Sequence, residues 1–248
     1  IKIELPYTAE DLADLTCEMV RRNDFRCDIY IRPLAYKNAC QIGTKLSPGS
    51  DYSMFAVPMK DYIATDRALN VCVSSWRRIE DNSIPPRGKI AGSYVNSALA
   101  ATEARDNGFD EAIVLNNDGH VAEGAAMNLF IVRENKLVTT PISANILEGI
   151  TRTTIMRLAQ EEWGLETITR QIDRSELYMA DEIFFCGTGA QIAPVGFVDH
   201  RKVGDGHPGE ITTKLQKLYD QVVRNLDERF AEWRTPVYQN VAQTVSVG

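Results

Sequence analysis

Four short stretches carry groups able to do chemistry. In the run PPRGKIAGSY (85–94), one lysine stands between a proline-rich turn and small residues that lead into a helical pattern. The small neighbours Ala91, Gly92 and Ser93 keep space open beside the Lys89 amine, which makes it a candidate nucleophile or base. Glu123, in VAEGAAMN (121–128), follows an apolar strand and precedes small residues, a poor place for a carboxylate without a partner. In LEGITR (147–152), Gly149 permits close approach and the next residues open a helix. First-turn N–H groups have no partner inside the helix and carry the positive end of its dipole, so they suit an anion. In CGTGAQ (186–191), Gly187, Thr188 and Gly189 follow a buried apolar run and can offer amides and a hydroxyl in the same way. Taken singly, each has an ordinary reading as a surface lysine, a hairpin glutamate or a glycine turn.

Taken together they fit one ligand, pyridoxal phosphate (PLP). That cofactor needs a lysine for its Schiff base, an anion site for its phosphate and an acid beside the pyridine nitrogen. Lys89, the Ile150 and Thr151 amides with Thr188, and Glu123 supply one of each. No Walker loop and no GxSxG elbow competes with this reading. The five cysteines (17, 27, 40, 72 and 186) are scattered without a CxxC pair and the three histidines do not cluster. Reduced thiols in a cytoplasmic protein, and no metal site, are therefore expected. A net charge of −7 speaks against nucleic acid as a partner, and no apolar run reaches the length of a membrane span.

The surrounding elements predict an α+β protein. Thr8 is placed to cap a helix over about 8–23, and CDIYIRPLAYK, DYSMFAVPMKDY and LNVCVSSWRRI read as strands. The polar, proline-bearing stretch that follows suggests a domain organisation of 1–85, a linker at 86–90, and 91–248, with Lys89 at the hinge. Beyond it, SYVNSALAATEARDNG is helical and closed by Gly108. The run from 111 to 141 reads as three strands with a DG and an EN turn, followed by a helix over ITRTTIMRLAQEEWG. A buried strand, the glycine turn, a further hairpin and one long helix over EITTKLQKLYDQVVRNLDERF complete the chain.

These pieces, in this order, resemble the branched-chain amino acid aminotransferases of the fold-type IV PLP enzymes. The resemblance runs from LPYTAEDL to WRTPV and includes YIRPL, SSWRR, GKIAGSYVNS, GFDEAIVLNNDGHVAEGAAMNLF, LEGITR and LYMADEIFFCGTGAQIAPV. It implies a small α/β N-terminal domain and a larger pseudo-barrel domain, assembled as a homodimer. It implies ping-pong transamination of leucine, isoleucine and valine with 2-oxoglutarate, with amino acids and 2-oxo acids as the small-molecule partners. Lys89 would form the Schiff base, Tyr94 would bond the ring hydroxyl, Glu123 would pair with the ring nitrogen and Leu147 would pack on the ring. Gly149, Ile150, Thr151 and Thr188 would hold the phosphate, while Tyr30, Arg32, Gly189 and Ala190 would recognise the substrate carboxylate. The family carries a further segment, with a phosphate-binding arginine, ahead of the LPYT helix, so the resemblance implies sequence upstream of Ile1. It departs in reading GTGA where GTAA is common, which predicts a looser turn, and in Met127 where the family often has Glu, which predicts a lost charge at the site wall. The same fold class holds (R)-selective amine transaminases and D-amino acid aminotransferases, and a non-catalytic binding module is the reading from outside enzymology.

Overall fold

The computed structural model describes residues 1–59 and 62–238. It divides into two compact units, the first Ile1–Lys60 with the segment from Arg229, the second Asp61–Glu228. Among the described residues, no helix is long and apolar enough to cross a membrane.

In the first unit, α1 (Ala9–Arg22) starts at a capping box. The Asp11 amide donates to the Thr8 hydroxyl at 3.1 Å, and the Thr8 amide donates to the Asp11 carboxylate at 2.8 Å. β1 (Ile29–Lys37) and β2 (Ser50–Pro58) form an antiparallel pair with Tyr30 opposite Val57 and Arg32 opposite Phe55. The Tyr238 hydroxyl donates to the Phe25 carbonyl at 2.6 Å, tying the C-terminal segment to this unit.

The second unit is a nine-stranded sheet with helices on its outer face. It contains β3 (Leu69–Arg77), α2 (Tyr94–Asp106), β4 (Glu111–Leu115), β5 (Val121–Gly124), β6 (Asn128–Arg133), β7 (Lys136–Thr139), α3 (Ile150–Trp163), β8 (Thr167–Thr169), β9 (Glu182–Gly187), β10 (Gln191–Val198), β11 (Arg201–Lys202) and α4 (Glu210–Val223). The strand order is β5-β4-β3-β10-β9-β6-β7-β8, with β11 on β10. β5 and β6 have four strands between them in that order yet adjoin through a short turn, where the Gly124 amide donates to the Met127 carbonyl at 2.7 Å. The sheet therefore curls back on itself. At the seam a Cβ on Gly124 would sit 3.0 Å from the Phe185 ring, so only glycine fits without a shift.

The strands are apolar on both faces because both are covered. Ile113, Leu129, Ile131 and Phe185 share one cluster inside the curl. Ala112 and Val114 turn the other way onto Ala100 and Ala104 of α2, and Phe130 and Phe184 meet Ile155, Ala159 and Leu215 of α3 and α4. Hairpin chemistry is as the sequence predicts at Glu134-Asn135, both with positive φ (52° and 57°) in a two-residue turn between β6 and β7.

Two expectations differ from the structure. β3 was expected in the first domain; it lies in the large sheet, parallel to both β4 and β10, and the division between the two compact units falls after residue 60 rather than at 86–90. The final helix ends at Val223 instead of running through 230, because Asn225 turns left-handed (φ 62°) and a separate 3-10 segment follows at Glu228–Trp233.

Candidate active site

Lys89 owes its place to β3. After that strand the chain turns, and Pro86–Gly88 form a 3-10 turn with proline at its start. Lys89 caps the turn at φ 47°, ψ 43°, a left-handed conformation that costs a non-glycine residue about 1 kcal/mol. Its Nζ lies 2.9 Å from the hydroxyl of Tyr94, the first residue of α2. Arg87 anchors the turn, reaching Asp81 at 2.8 Å and Glu148 at 2.7 Å.

Glu123 sits on β5 and is 3% exposed. One carboxylate oxygen, Oε1, takes Nη2 of Arg78 at 2.7 Å and the Leu147 amide at 3.4 Å. The other, Oε2, accepts only from Asn128 Nδ2 at 2.9 Å among the described residues, which leaves it room for a second donor. Burial pushes the Glu123 carboxyl up to about 7, opposed by Arg78, the Leu147 amide, Lys89 and Asn128. A carboxyl poised there exchanges a proton readily near neutrality, as an acid beside a basic ring nitrogen must.

Asn128 and Arg78 carry this arrangement, and sequence reasoning assigned neither a role. Asn128, the first residue of β6, gives its second amide hydrogen to the Leu147 carbonyl at 2.9 Å, so Leu147 is pinned at both its N–H and its C=O. Arg78 was inside the motif SSWRR, but only its contact with Glu123, 45 positions along the chain, distinguishes it from Arg77. Its Nε also donates to the Asn145 carbonyl at 3.0 Å.

Gly149 is the N-cap of α3 and brings no side chain to its first-turn amides. A Cβ there would lie 2.1 Å from Asn128 Oδ1, so glycine is required by crowding, not by an unusual φ. Ile150 is 85% exposed while Thr151 is buried. A second glycine run, GDGHPG at 204–209, leads into α4 with GxGxxG spacing. It is no phosphate cradle, because Glu182 already accepts the Ile211 and Thr212 amides at 2.9 and 2.7 Å.

Thr188, Gly189 and Ala190 form the turn between β9 and β10, with Thr188 exposed and Ala190 buried. Asn128 pairs with Cys186 in the ladder, so this turn leaves the sheet at the same end as Asn128 and Gly149. The left-handed residue is Gln191 (φ 53°), not Gly187 or Gly189, so the turn does not depend on Gly189 for its backbone. Met127 is 4% exposed and packs in the core with Leu129 and Phe185. Burial pushes the Cys186 thiol up, away from nucleophilic use. Tyr30 and Arg32 lie on β1 of the first unit, with the Arg32 guanidinium 5.2 Å from the Tyr30 ring centre.

These groups fit PLP: a lysine beside a phenol, a buried acid with a free lone pair, and uncapped helix amides behind a glycine. The profile of the amino-transferase class IV family matches residues 1–196. The chain belongs to this family. Among its relatives in the class IV aminotransferases, a probable branched-chain-amino-acid aminotransferase of Aquifex aeolicus is 46% identical over 95% of this chain and 76% of its own length. The branched-chain-amino-acid aminotransferase of Pseudomonas aeruginosa is 37% identical, over 96% of this chain and 78% of its own. Among solved structures, the branched-chain aminotransferase of Thermoproteus uzoniensis with norvaline superposes with a TM-score of 0.91 at 41% identity, covering 95% of this chain and 78% of that one. That of Thermobaculum terrenum in its PLP form gives 0.91 at 40% identity, covering 96% and 78%.

Proposed function

We propose that this protein is a PLP-dependent aminotransferase that moves the amino group of leucine, isoleucine or valine to 2-oxoglutarate. The observation that carries the reading is Glu123, buried with Arg78 and Asn128 and with one carboxylate oxygen open to a further donor. The substrate class rests on the relatives, whose names specify branched-chain amino acids.

Bound PLP supplies a carbonyl that condenses with amines and a ring that takes up the electrons left when a substrate carbon loses its proton. Glu123 holds the proton at the ring nitrogen. Lys89 would hold the cofactor through Nζ and would act as the base for the proton on the substrate Cα. The Tyr94 hydroxyl, 2.9 Å from that amine, orients it and would bond the ring hydroxyl. Leu147, fixed by Glu123 and Asn128, would pack on the ring. The Ile150 and Thr151 amides after Gly149 and the Thr188 hydroxyl would receive the phosphate. Gly189 and Ala190 would receive the substrate carboxylate.

A homodimer in the cytoplasm completes the proposal. α2 exposes Val95 (65%) and Leu99 (40%) one helical turn apart, a face suited to cover by a second copy. Purified protein loaded with PLP is to be incubated with 2-oxoglutarate and L-leucine, D-alanine or (R)-1-phenylethylamine. Fastest turnover of L-leucine is expected, with none in Lys89→Ala; faster turnover of either rival donor refutes the substrate class.

A further inference from the structure

Arg152, the third residue of α3, is 6% exposed. Its Nη2 donates to the Thr140 carbonyl at 2.9 Å and its Nε to the Thr139 hydroxyl at 3.4 Å. Both acceptors are neutral. Among the described residues it makes no ion pair, whereas the other buried arginine, Arg78, has Glu123 at 2.7 Å. Glu148 and Glu123, the acids that favour its charge, are each paired with another arginine, Glu148 with Arg87 and Glu123 with Arg78, both at 2.7 Å. A guanidinium does not shed its proton in a protein, so the charge remains. A buried charge without a counter-charge is unfavourable until something negative arrives beside it.

We propose that Arg152 is an electrostatic positioning residue for the PLP phosphate: its buried charge is uncompensated in the free protein and is balanced by the phosphate dianion seated at the start of α3. The inference rests on the PLP reading above and extends it to a residue outside the phosphate-binding set named there. Two sources of positive potential then converge on one anion, the first-turn amides behind Gly149 and a guanidinium carried by the same turn. Beneath protein, salt screens the second source little.

The test compares PLP with pyridoxal, which has the same ring and carbonyl but no phosphate. Dissociation constants of both are measured by absorbance titration on apoprotein of the wild type, Arg152→Lys, Arg152→Gln and Arg152→Met. Removing the charge in the Gln and Met variants weakens PLP about tenfold or more relative to pyridoxal. The Lys variant, which keeps the charge but loses the planar fork, holds the wild-type ratio within about twofold. Equal weakening of both ligands, or an unchanged ratio, overturns the proposal and leaves Arg152 as a staple between α3 and Thr139–Thr140. So does failure of both uncharged variants to fold by circular dichroism, since removing an uncompensated charge must not cost the free protein its structure. Wild-type protein that binds neither ligand overturns the PLP reading itself, and this proposal with it.

Discussion

The buried Glu123 makes the stability of the cofactor-free protein fall as the solution becomes more alkaline. Its carboxyl rises from an ordinary 4.5 to about 7, burial being the main cause. The native state therefore keeps the proton longer than the unfolded chain does. Stability from this group is fully present below about 4.5 and is lost as pH climbs through about 7. At about 1.4 kcal/mol per pKa unit, the total is about 3 kcal/mol, of which roughly 2–3 kcal/mol is lost between pH 5 and 8. Glu111, also raised by burial, adds a loss of the same sign. Asp110, Glu103 and Glu176 have lowered values, so their contributions change at more acidic pH. Urea unfolding of apoprotein, followed by tryptophan fluorescence at several pH values, reads the slope. Glu123→Gln should flatten it, and the comparison uses the slope because the amide also leaves Arg78 without its counter-charge. In the holoprotein, a protonated ring nitrogen beside Glu123 holds the carboxylate ionised and the slope should shrink. A Glu123→Gln profile as steep as wild type over pH 5–8 would refute the reasoning.

Two further outcomes are expected from the same site. Arg78→Met breaks a buried ion pair and should cost about 3–5 kcal/mol above pH 8 but clearly less at pH 5, where Glu123 is protonated; urea titrations at the two pH values check it. Gly149→Ala puts a methyl group 2.1 Å from Asn128 Oδ1 and should cost about 1–3 kcal/mol and weaken PLP binding. Adding Asn128→Ala should relieve that clash, so a double variant much less stable than Asn128→Ala alone would argue against the crowding account.

What the sequence made legible was local. Lys89 after its proline turn, the glycine before α3 and the strand ending at Glu123 each carry a pattern within ten residues. Arg78 and Asn128 were written in the same motifs, yet their importance lies in partners brought close by the curl of the sheet. Two adjacent arginines, Arg77 and Arg78, look alike in sequence; the alternation of the strand end sends one outward and the other onto Glu123. β3 was assigned to the wrong neighbours for a related reason. A strand announces itself by its own residues, but its place in a sheet is decided by where its partners fall, and here one partner is β10. The end of α4 was missed because Asn225 in a polar helical run gives no warning that it will turn left-handed.

That pairing of β3 with β10 also sets an order of events for a chain emerging from the ribosome. Leu69 and Val71 cannot find Val195 and Val198 until nearly all of the second unit has been made. By then Lys89, Glu123 and the turn before α3 have long been synthesised, with one edge of β3 still unpaired. Contacts this distant in sequence close slowly, and open strand edges invite wrong partners meanwhile. The lysine turn follows β3 after eight residues, and Arg78, the first of them, holds Glu123, so the cofactor pocket is among the last features of the molecule to become permanent.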